Sequence, residues 1–198
     1  NLAIKLKNAG VKILWTSPEN IDTAEDRNKF SKLLDTLEIK QPDWAQLQSV
    51  SEAKIFGKKY GYPVIIRPSY VLSGANMRIC ADEEQLEKFL KKAALIGKEH
   101  PAVISKYEEG AKEIEIDGVW KDGKLIIYAI TEHVENAWVH SGDATVVLPA
   151  QKLYIETVRK IKKIAKQIVK ALNITGPFNI QFLARDNMIK VIDRKSVV

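Results

Sequence analysis

Between residues 113 and 131 the chain reads as a hairpin. Glu113, Glu115 and Asp117 alternate with Ile114 and Ile116, and Lys121-Asp122-Gly123 leads into a second apolar run, Leu125 to Thr131. Period-two alternation sends successive side chains to opposite faces of a strand, and Asp-Gly is a turn that right-twisted antiparallel strands accept. Such a segment demands an antiparallel sheet with at least one covered face. The three carboxylates then line the other face. On a lone strand they would simply be solvated. Side by side within a sheet they repel, and they need cations, a metal or sugar hydroxyls opposite them.

A cover for the apolar face is visible downstream. In the Lys-rich stretch from Lys152 to Lys170, Ile155, Val158, Ile161, Ala165, Ile168 and Leu172 recur at helical spacing, while Lys160, Lys163, Lys166 and Lys170 fall largely elsewhere. A helix packed on a sheet with wet lysines accounts for most of the net charge of +6. The basic residues lack the interleaved aromatics that stack on bases, so nucleic acid is not the expected partner. No run approaches the ~18 apolar residues of a membrane span. The single cysteine, Cys80, permits no internal disulfide; it reads as a small core residue at a strand end in a reducing compartment.

Upstream, residues 1–10 suggest a helix closed by Gly10, Val11 to Trp15 a short strand, Thr16-Ser17-Pro18 a turn, and Asp22 to Leu37 a polar helix ended before Gln41-Pro42. Ser51 is a candidate N-cap for a helix ending near Gly61. Pro63 to Arg67 reads as a strand that runs into the loop Tyr70 to Gly74, and Asp82 with Gln85 as a capping box for a helix to about Lys98. Ala102 to Tyr107 is a further strand candidate; a loop around His140 to Asp143, a short strand and the long helix follow the hairpin. Arg185-Asp186-Asn187 then turns the run from Phe178 to Ala184 into Ile189 to Asp193. The expected class is α+β: a helix–strand part to about residue 101, then a mainly antiparallel sheet carrying one long helix. A cleft between two such parts is a usual ligand site.

Several side chains could carry chemistry. Arg67 ends a strand beside a Ser- and Gly-containing loop, where a guanidinium can fork onto phosphate oxygens or make a surface ion pair. The loop from Ser69 to Gly74 is neither a Walker loop nor a GxGxxG. His133 and His140 have acids nearby, but with one cysteine and loose spacing a hydrogen-bonded role is expected over zinc. Gln181 and Asp193 lie on adjacent candidate strands, so their oxygens could meet at one Mg²⁺, or they could be unrelated surface polars.

Longer segments carry a resemblance. Arg67-Pro68-Ser69-Tyr70-Val71-Leu72-Ser73-Gly74, Glu132-His133-Val134-Glu135-Asn136-Ala137, Val139-His140-Ser141-Gly142-Asp143-Ala144-Thr145 and Gly176-Pro177-Phe178-Asn179-Ile180-Gln181-Phe182 are similar to the carbamoyl phosphate synthetase large chain, as are Thr16-Ser17-Pro18 and Ala24-Glu25-Asp26-Arg27. The likeness runs in order from about residue 10 to 193. That family's large chain holds two related ATP-grasp halves, and the motifs at Arg67 and Glu132 resemble the second, which phosphorylates carbamate. The resemblance implies an ATP-grasp fold of two α/β subdomains. Residues 1–22 would be the tail of a preceding domain, 23–101 the lid and linking helices, and 102–198 the antiparallel subdomain.

It further implies ATP as ligand, with Mg²⁺ or Mn²⁺ and K⁺. Arg67 would bind phosphates, Lys106 and Glu108 would border adenine, and Glu113 would take ribose hydroxyls or a monovalent cation. Trp138, Val139, His140 and Ser141 would complete the nucleotide site. Gln181 and Asp193 would hold the divalent metal, and Arg27, Ser73 and Gly74 would help close the site. Carbamate or bicarbonate would be the small substrate. The rest of a synthetase chain and a glutaminase would be partners, in cytoplasm or mitochondrial matrix. A chain that begins at Asn1 reads as a piece of such a protein. Three positions depart from the family pattern: Trp138 for glycine, Asp193 for glutamate, and Lys195 for an asparagine ligand, where an ammonium repels a metal ion. The final Arg194-Lys195-Ser196-Val197-Val198 resembles nothing in the family. Together these predict no carbamate- or bicarbonate-dependent ATP turnover by the isolated chain.

Overall fold

A computed structural model of the chain describes residues 2–68, 77–93, 102–138 and 144–196. In chain order the elements are α1 (Leu2–Asn8), α2 (Pro18–Glu25), α3 (Arg27–Thr36), β1 (Trp44–Leu47), α4 (Val50–Tyr60), β2 (Val64–Pro68), β3 (Arg78–Cys80), α5 (Glu83–Ala93), β4 (Ala102–Lys106), β5 (Lys112–Lys121), β6 (Lys124–Asn136), β7 (Val146–Val147), α6 (Ile155–Ala171), β8 (Gly176–Arg185) and β9 (Met188–Ser196). They form two compact units, residues 1–40 with 110–198 and residues 41–109. These divisions differ from the boundaries after residues 22 and 101 that the resemblance implies.

The larger unit is built on the expected hairpin. Asp122 and Gly123 take φ of 49° and 75°, and Asp186 and Asn187 take 49° and 61°. Left-handed residues at both centres of a two-residue turn match the twist of the flanking strands. The two hairpins, β5–β6 and β8–β9, join through β5 and β8 into an antiparallel sheet of order β7-β6-β5-β8-β9. Ile161, Ala165, Ile168 and Val169 of α6 pack with Ile114, Ile116, Phe178, Ile180 and Phe182 on one face, and Phe30 and Leu34 of α3 belong to the same core. The four lysines named above are exposed. Ile155, expected on the buried stripe, is exposed at the first helical position, before the helix reaches its core contacts.

Two expectations for the first forty residues fail for local reasons. Val11 to Trp15 forms no strand: Val11, Leu14 and Trp15 are exposed, and Trp15 sits at φ 64°, outside the extended region a ladder requires. The helix expected from Asp22 to Leu37 is two helices. Asp26 lies between them at ψ 112°, and its carboxylate accepts from the N–H groups of Asn28 and Lys29, capping α3. Ser17 caps α2 in the same way through Asn20, with Pro18 at the first position.

The smaller unit is an antiparallel sheet of order β1-β4-β2-β3. One face packs Leu47, Val64, Ile66, Cys80, Ala102 and Ile104 against Ala53 and Phe56 of α4 and Leu86 and Leu90 of α5. Cys80 is buried at the end of β3, as expected. β4, expected in the C-terminal sheet, instead pairs with β1 and β2. Ala102, Val103, Ile104 and Ser105 are all fully buried, so the strand has no alternating pattern from which to read its neighbours. Ser49, not Ser51, caps α4 through Glu52. Asp82 accepts from the N–H of Gln85, as the expected box required. The loop Tyr70 to Gly74 and the helix end near Lys98 lie outside the described residues. Among the described residues no helix is long and apolar enough to cross a membrane.

Candidate functional site

The second face of the five-stranded sheet is polar and largely buried. Strand register places Glu115 beside Thr131 on β6 and Gln181 on β8, and Asp117 beside Asn179. The acids therefore meet donors. Gln181 Nε2 donates to Glu115 Oε1 at 2.9 Å, and Asn179 Nδ2 donates to Glu115 Oε2 and Asp117 Oδ1, each at 2.9 Å. His133 Nε2 lies 3.0 Å from Glu115 Oε1, which gives this histidine the expected hydrogen-bonded role. Asp117 is exposed, whereas Glu113, Glu115 and His133 are buried. Glu113 Oε2 accepts from the Trp138 N–H at 2.9 Å. Burial pushes the Glu113 carboxyl above the usual range; the Trp138 N–H and His133 act against it, and Glu115 and Asp193 add to it.

Glu113, Glu115 and His133 each offer a ligand atom within 4.8 Å of the others. This grouping was not foreseen. The signal was the hairpin itself: with β6 continued past Thr131 to Asn136, His133 falls on the same face as Thr131 and next to the carboxylates. His133 Nδ1 is buried with no hydrogen-bond partner among the described residues.

At the β8–β9 end, Gln181 and Asp193 are direct cross-strand partners. A bulge makes this pairing. Phe182 pairs with Val191 while Gln181 pairs with Asp193, so Ile192 is an extra residue in β9. The divalent metal implied for these two residues meets an obstacle. Asp193 Oδ1 accepts from the backbone N–H and Nη1 of Arg194 at 2.9 and 2.8 Å, and Oδ2 from Nη2 of Arg27 at 3.3 Å. Amide and carboxylate oxygens are suitable donors for Mg²⁺. Two guanidinium groups already held on this carboxylate nevertheless repel a divalent ion beside them. The residues present do not fit a divalent ion at Asp193. The Lys195 side chain lies outside the description.

Trp138 follows β6 at φ 78°, a backbone conformation that favours glycine, which is the residue the family resemblance implies there. Its ring packs against a small cluster of Ala111, Ala137, Leu183 and Ile192. In the smaller unit, Arg67 is buried near the end of β2 and donates from Nη2 to Ser105 Oγ at 3.0 Å. Lys106 Nζ donates to the Tyr62 carbonyl at 2.8 Å, and Glu108 is half-buried just beyond β4. Ser73, Gly74, Val139, His140 and Ser141 lie outside the described residues. Thus Glu113, Trp138 and, farther along the sheet, Gln181, Asp193 and Arg27 share one unit, while Arg67, Lys106 and Glu108 share the other.

Residues 26–194 match the family model described as the carbamoyl-phosphate synthase L chain, ATP binding domain. The chain belongs to this family. It is 56% identical over 193 residues to the multifunctional protein pyr-3 of Neurospora crassa, a match covering 98% of this chain and 10% of that protein. It is 54% identical over 183 residues to the arginine-specific carbamoyl phosphate synthase large chain of Eremothecium gossypii, covering 92% of this chain and 16% of that one. This ATP-binding domain thus spans a small part of the curated relatives it matches. Its fold is the ATP-grasp fold. D-alanyl-alanine synthetase A from Vibrio cholerae superposes with a TM-score of 0.83 at 16% identity, over 99% of this chain and 62% of that one. The biotin carboxylase domain of 2-oxoglutarate carboxylase from Hydrogenobacter thermophilus, solved with MgADP and bicarbonate, gives 0.81 at 20%, over 99% and 45%.

Proposed function

We propose that this domain binds ATP as part of a carbamoyl-phosphate synthase, in the half that phosphorylates carbamate. The observation that carries the reading is the family match over residues 26–194, which contains the entire polar sheet face and Arg67. In this reading Arg67 receives phosphate oxygens, Lys106 and Glu108 border the base, and Glu113 accepts ribose hydroxyls or a monovalent cation. Arginine neutralises the triphosphate while a carbamate oxygen attacks the γ-phosphorus in line and ADP departs. The motifs that begin at Arg67 and Glu132 favour the carbamate half. The remainder of a synthetase chain and a glutaminase are the partners this role requires, in cytoplasm or mitochondrial matrix.

A second reading has an observation of its own. Asp193 is ion-paired with arginine on both oxygens, which suits a domain that keeps the fold and the nucleotide but has lost turnover. Calorimetry with ATP tests what both readings share. Arg67→Ala is expected to weaken binding by about tenfold or more, since a charge-assisted hydrogen bond contributes ~1.5–3 kcal/mol. Unchanged affinity in that variant would remove Arg67 from the site. Carbamate-dependent ADP release then separates the readings: turnover supports the first, and its absence supports the second.

A further inference from the structure

We propose that Arg194, together with Arg27, occupies the cation position at Asp193, so that this domain binds no divalent ion there. The inference rests on the reading of Gln181 and Asp193 as the metal end of the site, and it replaces that role with a built-in one.

Three observations support it. First, Arg194 Nη1 lies 2.8 Å from Asp193 Oδ1, which also accepts the Arg194 backbone N–H, and Arg27 Nη2 lies 3.3 Å from Oδ2. A metal on either oxygen would share it with a guanidinium, and like charges at that distance repel. Second, Arg194 has no easy alternative position. Its residue is only 6% exposed, and its guanidinium carbon stands 4.6 Å from the Phe30 ring centre, on the core face of the sheet. Nε and Nη2 are already buried with no hydrogen-bond partner among the described residues. Detaching Nη1 from Asp193 would leave a buried charge without its counterion, the most costly form of a broken ion pair. Third, Arg27 is held in place. It is the first residue of α3, directly after the Asp26 cap that fixes the start of that helix.

An arginine differs from a metal ion in what it can do. It gives positive charge and directed N–H donors, but it cannot bridge two anionic oxygens as ligands within one coordination shell. Asp193 is therefore neutralised by built-in positive charge that does not depend on dissolved metal.

Mn²⁺ alone is the probe, followed by the electron paramagnetic resonance signal of the free ion. Asp193→Asn is expected to leave Mn²⁺ uptake by the chain unchanged, because no ion sits on Asp193. Arg194→Met, which keeps an unbranched apolar stem and loses charge, is expected to create or tighten an Mn²⁺ site by about tenfold or more, as removal of a like charge at contact distance should. Adding Asp193→Asn to Arg194→Met should abolish that gain. Loss of Mn²⁺ uptake in the Asp193→Asn single variant would overturn the proposal, and so would unchanged uptake in a folded Arg194→Met. If Arg194→Met fails to fold, the single Asp193→Asn comparison still decides. Absence of ATP binding in every variant would count against the proposed function and leave this inference standing.

Discussion

The two sheets handle buried polarity in opposite ways. In the five-stranded sheet one face is given to charge: Glu113, Glu115, His133, Asn179 and Gln181 are all buried there, and most are tied into one hydrogen-bonded group centred on Glu115. In the four-stranded sheet the face turned away from the α4 and α5 core includes buried Ile65 and Val103, with Arg67 and Ser105 as its polar pair. A buried network is stabilising only when its members are satisfied, so the first arrangement puts much more at stake on a single side chain.

The largest effect should come from breaking that network at its centre. Glu115→Ala removes the acceptor of His133, Asn179 and Gln181 at once. A loss of about 3–5 kcal/mol is expected, because three buried side chains lose one acceptor together. Ser105→Ala removes one hydrogen bond from Arg67 and should cost about 1–3 kcal/mol. Equal losses in urea unfolding would mean that the two faces are not different in kind.

Trp138 sharpens the same contrast at the rim of the polar face. Trp138→Ala and Trp138→Gly both remove the ring from its small apolar cluster. Only glycine adopts φ 78° without strain, so the glycine variant should be the more stable of the two by about 1 kcal/mol. The reverse order in thermal unfolding would show that the left-handed backbone is not retained.

The smallest effects are electrostatic, and they carry opposite signs in the two units. Burial raises the Glu113 carboxyl, so its neutral form favours the fold; that contribution is present at low pH and lost as pH rises through the raised value. Glu113→Gln should therefore stabilise at neutral pH, with the gain fading on acidification. Glu87 of α5 is held down to about 2 by its hydrogen bond from Lys54 of α4, then by Lys91. Its contribution is present above the ordinary carboxylate range and is lost as pH falls toward about 2. Glu87→Gln should be slightly destabilising at neutral pH and neutral in acid. Unfolding midpoints of both variants across pH 3 to 7 (roughly the carboxylate range and above) check the two signs.

Legibility in the sequence followed the strength of local patterning. The two hairpins were readable because Asp122-Gly123 and Asp186-Asn187 supply left-handed turns between alternating runs. α6 was readable because its buried positions recur at helical spacing between exposed lysines. β4 was recognisable as a strand but not assignable to a sheet, because burial on both faces erases alternation. The site was legible in parts. The shared face of Glu113 and Glu115 follows from parity, and the pairing of Glu115 with His133 needed only a longer β6. The partners of Asp193 were hidden. Simple alternation along β9 puts Asp193 on the face of Ile189 and Val191, and Arg194 looked like part of an unrelated tail.

The bulge at Ile192 has a consequence for the polarity of the sheet. In unbroken pairing Ile192 would stand opposite Gln181, Asp193 would turn inward opposite Ile180, and Arg194 would emerge beside Asn179. The same three residues would then present a base to the polar face and bury the acid. A single step of strand phase thus decides which sign of charge this end of the sheet displays, with no change in composition. Deletion of Ile192 would remove the extra step yet keep Asp193 opposite Gln181. The bulge absorbs Ile192 into the small cluster beside Trp138 and so keeps the acid opposite Gln181 despite the extra residue.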